Sequence, residues 1–427
     1  MLGTETNTVD LPKSWSFRSD RPLTSENVAA AREYIAKFWP SITFYQPDNT
    51  NNHLGLPKPY LVPSYHPESE FDFNELYYWD SYFMIQGILD EAHRDLVLGI
   101  VEDLRVLFNR FGMIPNASRT YLMSHSQPPF LSSIIFDVYQ AYHLDNNWLK
   151  EGIETAKAEY KQVWMGTIKP NVRKVYKGLS RYYDINYQDN LAEAESGWDL
   201  TTRFNRHALN YLPVDLNSLL YKYEMDFVKA ASILGDEHEV TEWKKMARNR
   251  KRMITKLMWD KGRGLFYDYN YKKEKKSTVD SLAAYYTLWA GLATKRQARK
   301  LVKNLKRFEN KGGLTVTDTL PFSQHISMTG ALPVQWAYPN GWAPLHFIVV
   351  KGLQRYGYQK EARRIAMKWL KSNLIWFENH KVFLEKYNVV QPMKPPADGL
   401  YPNQTGFGWT NAVFEYFCQE FIDRAVI

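Results

Sequence analysis

Apolar residues recur at helical spacing along most of this chain. Between residues 294 and 308 ("TKRQARKLVKNLKRF") they fall on one helix face and basic residues cover the other; the apolar positions are Ala298, Leu301, Val302 and Leu305. The stretch 240–257 repeats the pattern. Alternation of apolar and polar residues, which is typical of half-buried strands, is scarce. The periodicity therefore predicts an all-α fold.

Three glycines mark a weak internal repeat. Gly235, Gly291 and Gly357 each follow an apolar helical segment and precede a polar-faced one. Their spacing suits a helical hairpin plus a loop, and about six such hairpins would use up the chain. Hairpins arranged in a ring give a barrel of inner and outer helices, and no Pro/Gly/Ser-rich linker interrupts the sequence. We therefore expect a single closed helical domain.

Composition narrows the possible partners. The chain has 14 Trp, 29 Tyr and 22 Phe, which either fill a large helical core or stack on sugar rings. The net charge of +8 comes from runs such as "KKEKK" that are typical of solvated helix faces. Since no zinc finger, RNA-binding aromatic signature or basic region with heptads accompanies this charge, we expect no nucleic-acid partner.

Cysteine content and hydropathy bear on location. Cys418 is the single cysteine, which excludes an intramolecular disulfide and a thiolate metal cluster. No stretch reaches the roughly 18 continuous apolar residues of a membrane span, and the amino terminus is polar. We expect a cytoplasmic monomer that does not bind membranes, unless a secretion signal was removed before residue 1.

Six segments carry more polar and aromatic residues than helix faces need. In chain order they are 73–83, 114–130, 195–204, 335–344, 384–390 and 403–417. They contain "FNELYYWDSYF", "SQPP", "ESGWD", "YPNGWAP", "LEKY" and "GFGWTN". With these motifs in this order, the chain resembles the α,α-trehalase family from about residue 55 to the carboxyl end. The pattern F-x-E-x-Y-x-W-D-x-Y is met in full, from Phe73 to Tyr82.

The resemblance implies an (α/α)6 toroid with the active site in its central depression. It also implies a metal-independent hydrolysis that inverts the anomeric centre, so we expect no cofactor and a small carbohydrate substrate. We expect residues 1–54 to pack on the toroid as an N-terminal segment and residues 55–427 to form the catalytic domain.

Two carboxyl groups are needed for such a reaction. One protonates the leaving oxygen and the other activates water from the opposite face, which requires a separation of roughly 6.5–9.5 Å. By resemblance, Asp199 in "ESGWD" matches the general acid and Glu385 in "LEKY" the general base. Alternatively, Asp199 caps a helix over "LTTRF", and Glu385 is a neighbour of Lys386 on a surface strand. An acid needs a raised pKa, so Asp199 should lie against apolar surface such as Trp198.

The resemblance also supplies a sugar-binding set. Aromatic rings should cover the apolar sugar face, and polar side chains should bind its hydroxyls. The matching residues are Phe73, Tyr77, Trp79, Asp80, Asn116, Gln127 and Trp336, with His125 where the family has an arginine before "SQPP". For the rings, core packing is the open alternative.

Departures from the family pattern fall mostly on groups for the leaving sugar. Asp72 and His125 stand where the family has arginines, and Leu400 where it has a glutamate. A "PRPES" segment is replaced by "INYQDNLAEA", and Ala337 replaces the aspartate of "QWD". Trehalose is the simplest substrate, but these departures predict a high KM for it and a preference for some other α-linked aglycone. The alternatives are another α-glucoside, such as glucosylglycerate or mannosylglycerate, and a catalytically silent sugar-binding relative, for which Ala337 is the main support.

Overall fold

The computed structural model describes residues 25–67, 73–318, 334–396, 399 and 401–425. Its α-helices are α1 (Ser25–Phe38), α2 (Tyr78–Ile85), α3 (Arg94–Phe111), α4 (Leu131–Ala141), α5 (Asn146–Glu159), α6 (Asp189–Glu195), α7 (Val214–Leu234), α8 (Glu237–Met258), α9 (Tyr286–Trp289), α10 (Lys295–Asn304), α11 (Ala343–Arg355), α12 (Gln359–His380) and α13 (Gly408–Phe421). A π-helix, Tyr160–Trp164, extends α5. The all-α prediction is confirmed, and both segments singled out by periodicity lie in helices, α8 and α10 with its short 3-10 extension.

The strands are short, with two or three residues each, and lie in the segments between the helices. They are β1 (Thr43–Phe44), β2 (Tyr60–Leu61), β3 (Lys174–Tyr176), β4 (Leu179–Ser180), β5 (Tyr211–Leu212), β6 (Trp259–Asp260), β7 (Leu265–Phe266), β8 (Tyr269–Asn270), β9 (Lys275–Lys276), β10 (Asn340–Trp342) and β11 (Lys386–Asn388). All pair antiparallel, in the orders β1-β2, β3-β4, β5-β8-β9, β6-β7 and β10-β11. Trp342 of β10 stands directly opposite Lys386 of β11.

Six of the described helices close into an inner ring. Around the ring, α2 packs on α4, α4 on α7, α7 on α9, α9 on α11, α11 on α13, and α13 back on α2. The packing is largely aromatic: Tyr82 of α2 stacks on Phe130, just before α4, with ring centroids 4.4 Å apart. Much of the aromatic content therefore fills the core, as the simpler interpretation of the composition predicted.

An outer layer surrounds this ring. Helices α3, α5, α8 and α12 each pack against the inner helix they follow, α10 follows α9 through Gly291, and α1 packs on α12 and α13. The six inner–outer pairs confirm the predicted (α/α)6 toroid. Because α1 comes first in the chain yet pairs with the last helix, the ring is closed by segments from both ends. The division at residue 54 stays a prediction, and residues 1–24 lie outside the described part.

The repeat glycines end helices as predicted. Gly235 adopts a left-handed φ of 78° after α7, a conformation that costs other residues energy, and its N–H bonds Ala231 O. Asp236 then caps α8 by accepting from Glu239 N at 2.9 Å. Gly291 and Gly357 also have positive φ, and Thr294 forms a capping box at the start of α10. Local signals thus set the hairpin turns.

This architecture collects the polar segments at one end of the ring. When each inner helix is followed by a returning outer one, the inner helices run in the same direction, so the segments before them share one mouth. Trp79 and Asp80 lie in the first turn of α2, Gln127 precedes α4, Trp336 precedes α11, and Trp409 begins α13. Among the described helices, none has the length and hydropathy to cross a membrane.

Candidate active site

A cavity of about 210 Å³ lies at this mouth. Its walls include all ten residues proposed from the sequence: Asp199, Glu385, Phe73, Tyr77, Trp79, Asp80, Asn116, His125, Gln127 and Trp336. The fold therefore brings together side chains that the chain scatters between residues 73 and 385.

Stacked tryptophans support the cavity. Trp336, in its wall, stacks on Trp342 with centroids 3.8 Å apart and planes 6° apart. Trp198 lies on the other side of Trp336 at 5.6 Å and 19°. Trp79 and Trp409 pack edge-on to each other, with centroids 5.9 Å apart. The rings form a rigid wall with apolar faces, which suits the apolar face of a sugar.

Asp199 lies in the loop after α6. Since no helix begins at Leu200, the interpretation of Asp199 as a helix cap is wrong. Two hydrogen bonds join this loop to the segment that carries Trp336. Gln335 Nε2 donates to Asp199 O at 2.5 Å, and Trp336 N donates to Leu200 O at 3.0 Å. Backbone contacts thus fix the position of the carboxyl group.

Gly197 makes this approach possible. Its φ is +72°, and a Cβ added there would lie 2.6 Å from Trp79 Cζ2. A larger residue would be strained and would also push Trp79 out of place. The glycine of "ESGWD" is therefore required by the close contact between the Asp199 loop and the first turn of α2.

The surroundings of Asp199 raise its pKa to about 7. Burial is the largest cause, because it disfavours the charged carboxylate, and the negative charge of Glu385 adds to it. The backbone N–H of Asp199 and the ammonium of Lys386 act in the opposite direction. Near neutral pH a large fraction of Asp199 therefore carries a proton, as a general acid requires.

Glu385 has a different environment. It precedes β11 and is completely buried, as is Lys386, so the interpretation as a surface ion pair is wrong. Lys386 Nζ donates to Glu385 Oε2 at 2.9 Å, and Tyr401 OH donates to Oε1 at 2.6 Å. Trp409 Nε1 donates to the Glu385 carbonyl at 3.1 Å. Both carboxylate oxygens are thus oriented by hydrogen-bond donors.

Asp80 is the third carboxyl group at the cavity. Burial raises its pKa well above the ordinary value, and the charges of Glu385 and Asp199 raise it further. Gln127 opposes this shift by hydrogen bonding to Asp80, and its Oε1 accepts from Trp79 N at 2.9 Å. Because the charges of Glu385 and Asp199 both act on Asp80 and all three residues line the cavity, their carboxyl groups lie close together.

His125 is held as a neutral side chain. It is 2 % exposed, and burial lowers its pKa although Glu195 and Asp184 oppose that shift. Nδ1 lies 3.2 Å from Asp184 Oδ2, which orients Nδ1 as the donor and leaves Nε2 as an acceptor. His125 therefore does not replace the positive charge of the arginine in the family pattern at neutral pH.

The structure describes some of the other departures from the family pattern and not others. Asp72 and Leu400 lie outside the described residues. Ala337 is buried but is not among the residues that line the cavity, which weakens its use as evidence for a silent relative. The segment that replaces "PRPES" contributes Leu191 and Ala194 to the wall.

Some wall residues were missed from the sequence. Tyr401, Phe407 and Trp409 line the cavity beside Glu385, and Pro63, Leu122 and Gly197 complete the set with Leu191 and Ala194. Phe407 and Trp409 belong to "GFGWTN" and Tyr401 follows "ADGL", so the motifs contained the signal. What the motifs do not show is which of their residues face the cavity.

A ring of helical hairpins, with a cavity at its mouth lined by buried carboxyl groups and tryptophans, defines the class of helical-toroid proteins. The family model described as Trehalase matches residues 12–190 and 173–421. The chain belongs to the trehalase family of glycoside hydrolases.

Relatives and solved structures agree. The chain is 32% identical over 430 residues to a periplasmic trehalase of Escherichia coli O8, which covers 90% of this chain and 72% of that protein. It is 32% identical over 426 residues to the cytosolic neutral trehalase of Kluyveromyces lactis, covering 83% of this chain. The chain spans about half of that yeast protein, 55%. Since these relatives are named for different compartments, the cytoplasmic location stays a prediction.

Among solved structures, the neutral trehalase of Saccharomyces cerevisiae is similar, with a TM-score of 0.72 and 28% identity over 95% of this chain and 81% of that one. The mannosylglycerate hydrolase of Thermus thermophilus, in complex with glucose, has a TM-score of 0.66 at 17% identity, covering 91% and 99%. At that identity the second likeness concerns the fold alone.

Proposed function

We propose that this protein hydrolyses α,α-trehalose to two glucose molecules with inversion at one anomeric carbon. Asp199 is the general acid and Glu385 the general base. The observation that carries the proposal is the contrast between two carboxyl groups at one aromatic cavity. One has a pKa raised to about 7, and the other is paired with a buried ammonium.

The acid role follows from the state of Asp199. Breaking the glycosidic bond needs a proton on the leaving oxygen, and a carboxyl group that is protonated near neutral pH can donate it. Its loop is fixed by Gln335 and by the backbone of Trp336, which limits the motion of the carboxyl group. Such preorganisation favours the transition state.

The base role follows from the partners of Glu385. A base must be ionised to take a proton from water, and Lys386 pairs with the charged form of the carboxyl group. Tyr401 orients the other oxygen, and burial raises the pKa of Tyr401, so its hydroxyl stays a donor. We expect the two carboxyl groups to stand at the inverting separation, roughly 6.5–9.5 Å, with the reacting carbon and the water between them.

Substrate binding falls to the remaining wall. Trp79, Trp336 and Trp409 give the cavity an apolar lining, with Trp336 held between Trp342 and Trp198. Asp80, Gln127 and Asn116 offer hydrogen-bond partners for hydroxyl groups. The relatives named as trehalases favour trehalose over another α-glucoside. The chain therefore combines the catalytic pair with one well-formed sugar site.

The test is proton NMR of the first products from trehalose. An inverting hydrolysis releases one β-glucose and one α-glucose per molecule, so the two anomers should appear in equal amounts before mutarotation. A retaining reaction would release α-glucose alone and would contradict the assignment of Glu385 as base. Sugar binding without any glucose release, measured beside the NMR by thermal shift, would identify a silent relative instead.

A substrate panel completes the test. Trehalose, glucosylglycerate, mannosylglycerate and short α-glucans should be compared by kcat/KM, with the Asp199→Asn variant as the inactive control. We expect trehalose to be the best substrate of the panel. A preference of more than about tenfold for a glycerate conjugate, equal to about 1.4 kcal/mol in the transition state, would overturn the choice of trehalose.

A further inference from the structure

Lys386 is a lysine without exposed surface. Lysine is almost never fully buried unless it is paired, because removing its charge from water is costly. Its Nζ donates to Glu385 Oε2 at 2.9 Å. It also lies 5.2 Å from the ring centre of Trp342 and 5.7 Å from that of Tyr401. The ammonium is thus enclosed by one carboxylate and two aromatic faces.

Strand register puts it there. In the β10–β11 pair, Trp342 stands directly opposite Lys386. Side chains of directly opposed residues lie on the same face of an antiparallel pair, so the ammonium comes to rest against the indole. Since Glu385 is the residue just before β11, this pairing also fixes the backbone that carries Glu385.

The contact with Trp342 continues across the cavity wall. Trp342 stacks on Trp336, Trp336 on Trp198, and the guanidinium of Arg203 lies 4.2 Å from the Trp198 ring centre. Arg203 is itself held by two buried carboxylates, Asp215 and Asp268. A cation therefore closes each end of a three-tryptophan stack, and this assembly is here called the capped stack.

The capped stack joins the two carboxyl groups of the proposed reaction. Asp199 directly follows Trp198 at one end, and Glu385 directly precedes Lys386 at the other. The charge of Lys386 acts on both, since it pairs with Glu385 and also lowers the pKa of Asp199. Asp80 and Tyr401 are the further titratable groups that face Glu385.

We propose that Lys386 is a positioning residue for this reaction: its ammonium orients the Glu385 carboxylate and sets the charge balance of both carboxyl groups from the end of the capped stack. This inference rests on the proposed function. Three carboxyl groups face one cavity, and the buried ammonium that pairs with Glu385 offsets part of their negative charge. Lys386 touches neither the sugar nor the water in this scheme and acts through Glu385.

The experiment is the pH dependence of kcat/KM for trehalose in the wild type, Lys386→Met, Lys386→Gln and Lys386→Arg. The pH profile of kcat/KM is expected to be bell-shaped, with an acidic and an alkaline limb. Loss of the positive charge favours the protonated form of each neighbouring carboxyl group. Lys386→Met should therefore shift both limbs to higher pH, the acidic limb by about one to three units. Activity at the optimum should fall by about tenfold or more.

The other variants separate charge from shape. Lys386→Gln keeps a hydrogen-bond donor but no charge, so it should shift the limbs as Met does and lose less activity. Lys386→Arg keeps the charge and should leave the limbs within about half a unit of the wild type, against the one to three units expected for Met. Gln also carries the test if Met does not fold.

Lys157 supplies the matched control. It is nearly buried and pairs with Glu154 and Glu239 on the outer side of the ring, away from the cavity. Lys157→Met should lower the melting temperature without shifting either limb. Unshifted limbs in folded Lys386→Met or Lys386→Gln would overturn the inference while leaving the proposed function intact. A wild type that releases no glucose would overturn the proposed function and this inference together.

Discussion

Two carboxyl groups at the same cavity have opposite surroundings. Asp199 follows a tryptophan at one end of the capped stack, and burial dominates its titration. Glu385 stands beside a buried ammonium and a tyrosine hydroxyl at the other end. A free aspartic acid is ionised well below neutral pH, yet burial raises the pKa of Asp199 to about 7. In the proposed reaction, neighbouring groups and not residue type therefore distinguish the acid from the base.

Removing either carboxyl group should have the largest effect on activity. Asp199→Asn and Glu385→Gln should each lower kcat for trehalose by about 10²–10⁴-fold, since general acid–base groups act on the transition state. Folding and sugar binding, followed by thermal shift, should change little.

The choice of substrate then distinguishes the proposed acid from the proposed base. An α-glucoside with a leaving group of low pKa, such as a nitrophenol, does not need a proton from the enzyme. It should restore activity to Asp199→Asn and not to Glu385→Gln. Equal losses on activated and unactivated substrates would show that Asp199 is not the acid.

Tyr401→Phe tests the base side without changing its charge. The substitution removes the donor to Glu385 Oε1 and leaves Lys386 in place. A hydrogen bond to a charged group is worth about 1.5–3 kcal/mol, so kcat should fall by about tenfold or more. Tyr45→Phe, at an exposed tyrosine, is the control and should be silent. An unchanged kcat in Tyr401→Phe would show that this hydroxyl does not assist Glu385.

The pH profile tests the acid side. Because the protonated form of Asp199 is the active one, kcat/KM should fall as pH rises through its pKa of about 7. The fall should approach tenfold per pH unit on the alkaline side. A rate that stays flat to about pH 9, well above that pKa, would mean that the acid titrates elsewhere.

His125→Arg should have the smallest effect. It introduces the cation of the family pattern next to Asp184, which already accepts from Nδ1. If neutrality at this position weakens binding of the leaving sugar, KM for trehalose should fall severalfold with kcat unchanged, since one added hydrogen bond contributes about 0.5–1.5 kcal/mol. His93→Arg, at a half-buried position before α3 and in none of the cavity walls, is the control. A raised KM would show that the neutral histidine suits this site better.

The sequence by itself determined the helices, their turns and ten of the residues of the cavity wall. Helical periodicity and capping depend on residues a few positions apart, so α8, α10 and the turn at Gly235 could be predicted without the rest of the chain. The motifs named all ten proposed wall residues because each motif lies just before or within the start of a cavity-lining element. The omission of Tyr401 arose because a motif does not show which way a side chain faces.

Tertiary structure alone decided the electrostatics. The raised pKa of Asp199, the neutral state of His125 and the burial of Lys386 depend on groups far away in sequence. The sequence left open a surface position for Glu385 and Lys386, and the pairing of β11 with β10 instead places Lys386 against Trp342. Closure of the ring by α1 was equally invisible, because it joins the first described helix to the last. Desolvation and charge coupling depend on distance in space, and only the packed toroid sets those distances.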